Sequence, residues 1–246
     1  MELDTLRWNL RGVCACRHIA RAPVMGLALE ILDSLAAGET ARGVESYARL
    51  YYALEDQGCR GLGAWLHDAL RYQDSPYARL VERGGSDGEL ERAAGHDMET
   101  FAALAGLDWV AALAQSAGEN AAARAAAERL PRWEVGCPFT FESVTEFYRK
   151  NGGGLFARYR AFLWEDGQLM PVEQPDCPGA RDMLGYELQR DQVVANTRAM
   201  MEGNLVNNVL LYGDSGTGKS ATVKSLLSLP GFEDLRLIEV QKEGLG

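Results

Sequence analysis

The sequence predicts an α + α/β chain: an all-helical domain over residues 1–150, a hairpin and linker over 151–181, and the opening part of an α/β domain over 182–246. Three observations lead there. Apolar residues recur at helical spacing through the first part. The run Asn151-Gly152-Gly153-Gly154 then marks a change of pattern. Beyond it, short apolar runs flank a glycine-rich loop in the order strand, loop, helix, strand, the first βαβ unit of a parallel sheet.

Taken in order, Val24, Leu27, Leu29, Ile31, Leu32 and Leu35 form a stripe that predicts a helix from about 23 to 37, stopped by Gly38. Val44, Tyr47, Leu50, Tyr51 and Leu54 predict a second over 43–57, and Leu62, Trp65, Leu66, Ala69 and Leu70 a third over 62–73. Ser86 and Glu89 have capping-box spacing after the loop 84–88. Alanine-rich helices are expected over 101–117 and 119–130, the latter ended by Pro131, and Ser143 with Glu146 suggests one more capped helix. The stripes are most simply the core of a helical bundle.

After the glycine run, the aromatic stretch 156–164, the turn pair Asp166-Gly167 and the return 168–172 predict a β-hairpin. Pro175, Pro178 and Gly179 mark a linker. Tyr186, Val193, Val194, Thr197, Met200 and Met201 then give a helical stripe, with Gly203 as its C-terminal cap. Val209-Leu210-Leu211-Tyr212 reads as a buried parallel strand, 219–229 as a helix and 235–240 as a second strand. That second strand is expected to leave an open sheet edge, with self-association as its consequence.

Composition narrows the function. The net charge of −10 supplies no global field for nucleic acid or an anionic membrane surface, so any bound anion must be held locally. No stretch has the apolar length of a membrane span, which argues against a membrane partner. Five cysteines without framework spacing point to a reducing, cytoplasmic setting.

Chemistry concentrates in one segment. Gly213-Asp214-Ser215-Gly216-Thr217-Gly218-Lys219-Ser220 matches the pattern G-x-x-x-x-G-K-[ST] of a phosphate-binding loop, the Walker A motif. Glycines let the backbone turn its N–H groups inward, where side chains would clash with phosphate. Lys219 is expected to reach the β- and γ-phosphates, and the Ser220 hydroxyl to ligate Mg²⁺. The predicted ligand is ATP with Mg²⁺.

The wording NNVLLYGDSGTGKSATVKSLL resembles the P-loop of AAA+ ATPases, within the P-loop NTPase superfamily. More narrowly, residues 155–245 are similar to a bacterial family of predicted AAA+ ATP-binding proteins of unknown function, through ARYRAFLWEDGQLMPV, LGYELQRDQVVANT, the loop itself and LRLIEVQKEGL. The resemblance implies that Leu184, Gly185 and Tyr186 contact the adenine base, although they also read simply as the entry to a helix. It further implies an ATPase that forms a homo-oligomeric ring and acts on a protein partner recognised by the helical domain. Such families place Walker B acids, a sensor and an arginine finger after the loop. None can be found in the residues following Ser220, so the chain reads as the N-terminal part of such an enzyme, ending before Walker B and unable to hydrolyse ATP alone. The alternative is a helical protein-interaction module whose nucleotide loop is regulatory or vestigial.

Other clusters carry blander readings. Cys14, Cys16 and His18 lack the second ligand couple of a zinc site and read as inert thiols beside a histidine. Asp33, at the end of the apolar run 27–32, sits at helical rather than strand spacing and belongs to the core helix. Arg7, Arg11, Arg17 and Arg21 read as a solvated helix face.

Overall fold

The structure is a computed structural model that describes residues 2–177 and 185–241. The chain divides into two compact units, Met1–Gly154 and Leu155–Gly246.

The first unit is all helical among the described residues. Its elements are α1 (Leu3–Gly12), α2 (Arg17–Ala20), α3 (Pro23–Ala37), α4 (Thr40–Asp56), α5 (Leu62–Tyr72), α6 (Pro76–Glu82), α7 (Gly88–Ala105), α8 (Trp109–Ser116), α9 (Ala121–Glu128) and α10 (Phe141–Asn151). Pro23 opens α3 at its first turn, where no N–H is required, and Gly38 closes it at φ 71°. The expected stripes are the buried ones: Val24, Leu27, Ile31 and Leu32 of α3 share one core with Tyr47, Leu50 and Leu54 of α4 and Leu62, Leu66 and Leu70 of α5.

Three helix boundaries differ from expectation, each through capping. Asp87, not Ser86, caps α7, its carboxylate accepting from the amides of Glu89 and Leu90. Ser86 instead donates to the Glu91 carboxylate. The alanine-rich stretch 101–117 is divided because Asp108 accepts from the Ala111 amide and starts a new helix. Thr140 and Ser143, rather than Ser143 and Glu146, form the reciprocal capping pair of α10.

One buried carboxylate ties distant segments together. Asp97 of α7 is fully enclosed and accepts the backbone N–H of Cys16 at 2.8 Å and of Cys14 at 3.2 Å. It thus holds the turn between α1 and α2 against α7. Burial pushes the Asp97 carboxyl above its ordinary range, against the pull of the amides of Cys16, Cys14 and Ala15. Burial and this neighbouring charge push the Cys16 thiol up to about 12, so it stays a thiol at neutral pH. Asp33 is bound by Arg11 at 2.7 and 2.8 Å, and Arg17 donates to the carbonyls of Arg11 and Val13. Part of the arginine face therefore serves to bind the helical unit's own acceptors.

The second unit contains a short helix α11 (Leu155–Arg158), strands β1 (Ala161–Glu165) and β2 (Gln168–Pro171), helices α12 (Glu187–Met201) and α13 (Lys219–Ser225), a 3₁₀ turn (Leu226–Ser228) and strand β3 (Leu237–Val240). Asp166 and Gly167, at φ 49° and 78°, make the two-residue turn of the β1–β2 hairpin, with Glu165 paired to Gln168. Phe156 and its neighbours form α11 rather than the start of β1. The sheet order is β2-β1-β3, antiparallel then parallel, with Ala161 opposite Leu237.

The expected strand at 209–212 is not formed. These residues bear no ladder, and Leu210 and Tyr212 are 84% and 89% exposed. The partner of β3 is instead β1, seated by the Leu237 amide on the Arg160 carbonyl at 2.9 Å and by the Arg236 guanidinium on the Phe156 carbonyl at 2.6 Å. The hairpin thus covers one edge of the strand whose neighbours were expected to be missing. A small cluster of Val193, Leu226 and Phe232, flanked by Leu211, Met201 and Leu235, forms the core around α12 and α13. No described helix is long and apolar enough to cross a membrane.

Asp97→Ala removes the acceptor of the Cys14, Ala15 and Cys16 amides and should destabilise the helical unit by about 2–4 kcal/mol in urea unfolding. Because the folded state holds the Asp97 proton longer than the unfolded chain, this group stabilises most below its ordinary pKa and less as pH rises through the raised one. The gap between wild type and the variant should therefore narrow from acidic to neutral pH. Phe232→Ala should cost about 3–5 kcal/mol and expose 185–241 to limited proteolysis; an unchanged cleavage pattern would contradict the role given to the cluster.

Candidate functional site

Helix α12 ends in a tight glycine cap: Gly203, at φ 77°, donates to the Met200 carbonyl, and Asn204 to that of Ala199. The chain then runs extended toward the glycine loop, secured where Asn196 donates to the Asn207 carbonyl at 3.0 Å and where Leu211 packs on the Phe232 cluster.

The segment 213–220 follows. Gly213, Gly216 and Gly218 lie at φ 141°, 82° and 83°, in the region where a Cβ is strained. At Gly216 and Gly218 a Cβ would meet nothing within 4 Å, so conformation and not crowding demands glycine there. Thr217 Oγ1 donates to the Asp214 carbonyl at 2.9 Å and closes the loop on itself. Lys219 folds its side chain back over the loop. Its Nζ donates to the carbonyls of Gly213 at 2.9 Å and Asp214 at 2.6 Å, with Thr217 Oγ1 at 3.4 Å. The ammonium is therefore held at the mouth of the loop by main-chain acceptors, and among the described residues no carboxylate is bound to it. Helix α13 starts at Lys219, and its first turn has no side-chain cap. Ser220 is exposed on that turn.

Beside the loop lies a cavity of about 240 Å³. It is lined by Gly213, Asp214 and Thr217 of the loop, Lys219 and Thr222 of α13, Leu211 and Tyr212 of the segment before the loop, and Tyr186, Gln189 and Arg190 at the start of α12. Pockets that enclose a drug-sized ligand span about 300–1,000 Å³, so this one accommodates part of such a molecule and leaves the remainder on an open rim.

Tyr186 stands at the start of α12 with φ 57°, after Gly185 at 77°. A bulky residue in the left-handed region is uncommon and costs of order 1–3 kcal/mol. Among the described residues the other non-glycine case is Asp166, where the hairpin turn requires it. The Tyr186 ring is 59% exposed, so burial does not offset the strain.

Of the expected site residues, the structure brings Gly213, Asp214, Thr217, Lys219 and Tyr186 to one cavity; Ser215, Gly216, Gly218 and Ser220 belong to the same loop and helix start but do not line it. Gly185 precedes Tyr186 in the turn, and Leu184 lies outside the described residues. Gln189, Arg190 and Thr222 were not anticipated. The first two follow Tyr186 at i+3 and i+4, the spacing that shares a helix face, and could have been found from it. Among the described residues, no three His, Cys, Asp or Glu side chains gather where they could hold a metal ion.

Residues 157–246 match the model of a family described as a protein of unknown function (DUF815). No curated protein and no solved structure matches the chain. The similarity thus covers the part of the chain that carries the loop and its cavity, and the family's description assigns it no activity.

Proposed function

We propose that the second unit binds ATP with Mg²⁺ through the loop 213–220. The observation that carries this reading is convergence. A lysine ammonium held over a glycine loop and an exposed tyrosine ring, from separate segments of the chain, face one cavity. Phosphate oxygens would take the place of the Gly213 and Asp214 carbonyls at Lys219 Nζ, with loop amides as further donors. The base would lie toward Gly185 and Tyr186, and the resemblance extends that wall to Leu184. Ser220 offers a single hydroxyl to Mg²⁺. One oxygen is a thin donor set, so the ion would be carried chiefly by phosphate and water, its usual habit at such sites.

The finer reading is an AAA+-type ATPase, supported by the wording of the P-loop segment. In it the protein works as a homo-oligomeric ring, and the helical unit recognises a protein partner. A second reading is favoured by the imbalance of the two cores among the described residues, extensive in the helical unit and small in the other, where the buried cluster is Val193, Leu226 and Phe232. There the helical unit is an interaction module and the loop a regulatory binder.

Lys219→Ala should weaken Mg²⁺-ATP binding by about 2 kcal/mol or more, roughly thirtyfold, in isothermal titration. Its circular dichroism should be unchanged, because the contacts of Lys219 lie within an exposed loop. Equal affinity in the folded variant rejects the assignment. Steady-state phosphate release separates the two readings: sustained turnover supports the ATPase, and release at background the regulatory binder.

A further inference from the structure

We infer that Gln189 selects the base of the bound nucleotide, favouring adenine over guanine; this rests on the nucleotide reading above. Tyr186 gives the N-cap of α12, and Gln189 and Arg190 follow on the face that borders the cavity, whereas Glu187 and Leu188 do not line it. The same cavity is lined by Lys219 and the loop, so a polyphosphate gripped there has the first turn of α12 within its own cavity for the rest of its molecule. That wall is a planar ring followed one turn later by a carboxamide, the two groups suited to stacking on a base and reading its edge.

A carboxamide presents one donor and one acceptor side by side. Adenine answers it with the N6 amino group and the adjacent N7, whereas the same edge of guanine offers two acceptors, O6 and N7, and leaves the Gln189 oxygen unpaired. Gln189 is exposed, and among the described residues its carboxamide makes no hydrogen bond, so it turns to a ligand without breaking an existing contact. Arg190 is the competing reader, since a guanidinium suits the O6/N7 edge of guanine. Its side chain, however, is only 16% exposed and faces Glu187 at 3.8 Å. The more accessible group on this wall is therefore the one that matches adenine.

The test is competition binding on the full chain with ATP, GTP and inorganic tripolyphosphate, for wild type, Gln189→Ala and Lys219→Ala. Wild type should prefer ATP to GTP by roughly tenfold or more. Gln189→Ala should lower ATP affinity toward that of GTP while tripolyphosphate, which has no base, binds as before. An ATP-to-GTP ratio near unity or reversed in wild type, or a ratio that survives Gln189→Ala, overturns the inference. If Lys219→Ala abolishes tripolyphosphate binding in that case, the phosphate site stands and only the base assignment falls. If no ligand depends on Lys219, the site itself is wrong and the inference falls with it.

Discussion

The geometry of the second unit depends on one small apolar cluster. Phe232 is fully buried between Val193 of α12 and Leu226 beyond α13, and Leu211 closes the group from the segment before the glycine loop. The Arg198 guanidinium lies 5.0 Å from the Phe232 ring centre, and Arg160 donates to the Phe232 carbonyl. Through these contacts a single side chain fixes the helix that carries Tyr186, the helix that begins at Lys219 and the strap that leads into the loop. Hydrophobic packing here brings the start of α12 and the loop to one cavity, with the Asn196–Asn207 hydrogen bond as a second tie.

Much of the architecture was legible because periodicity is a direct record of burial. The stripes of α3, α4 and α5 are the residues that lie inside, and the Asp166-Gly167 pair specifies a two-residue turn whatever surrounds it. Helix boundaries were less legible, since several oxygen-bearing residues near each start could cap it. At α7 the choice fell between Ser86 and Asp87, and geometry selected the carboxylate that reaches two amides. The misplaced strand has a different cause. An apolar run states a preference for burial but not its partner, and in this structure β3 pairs with the hairpin strand β1 while 209–212 forms no ladder and packs through Leu211.

The backbone turns at Gly213, Gly216 and Gly218 were legible because these glycines answer a local demand, positive φ. The α12 part of the cavity was only partly legible. Tyr186 came from resemblance, while Gln189 and Arg190 needed knowledge that α12 starts at Glu187 and so turns those positions to one side. The Asp97 anchor in the helical unit was invisible, because a buried carboxylate answered by the amides of Cys14 and Cys16, some eighty residues earlier, leaves no mark in local pattern.

The contacts of Lys219 bear on how an anion would be chosen. Its nitrogen already donates to two carbonyls, so an incoming oxygen exchanges with an existing acceptor and does not meet a bare cation. What the lysine contributes is then a difference between acceptors. Under the proposed function, a lone singly charged oxyanion would gain little over the peptide oxygens it displaces, while a chain of linked phosphoryl groups would replace both at once and engage the surrounding amides as well. Such an arrangement would filter against small abundant anions by making them compete with the protein's own backbone.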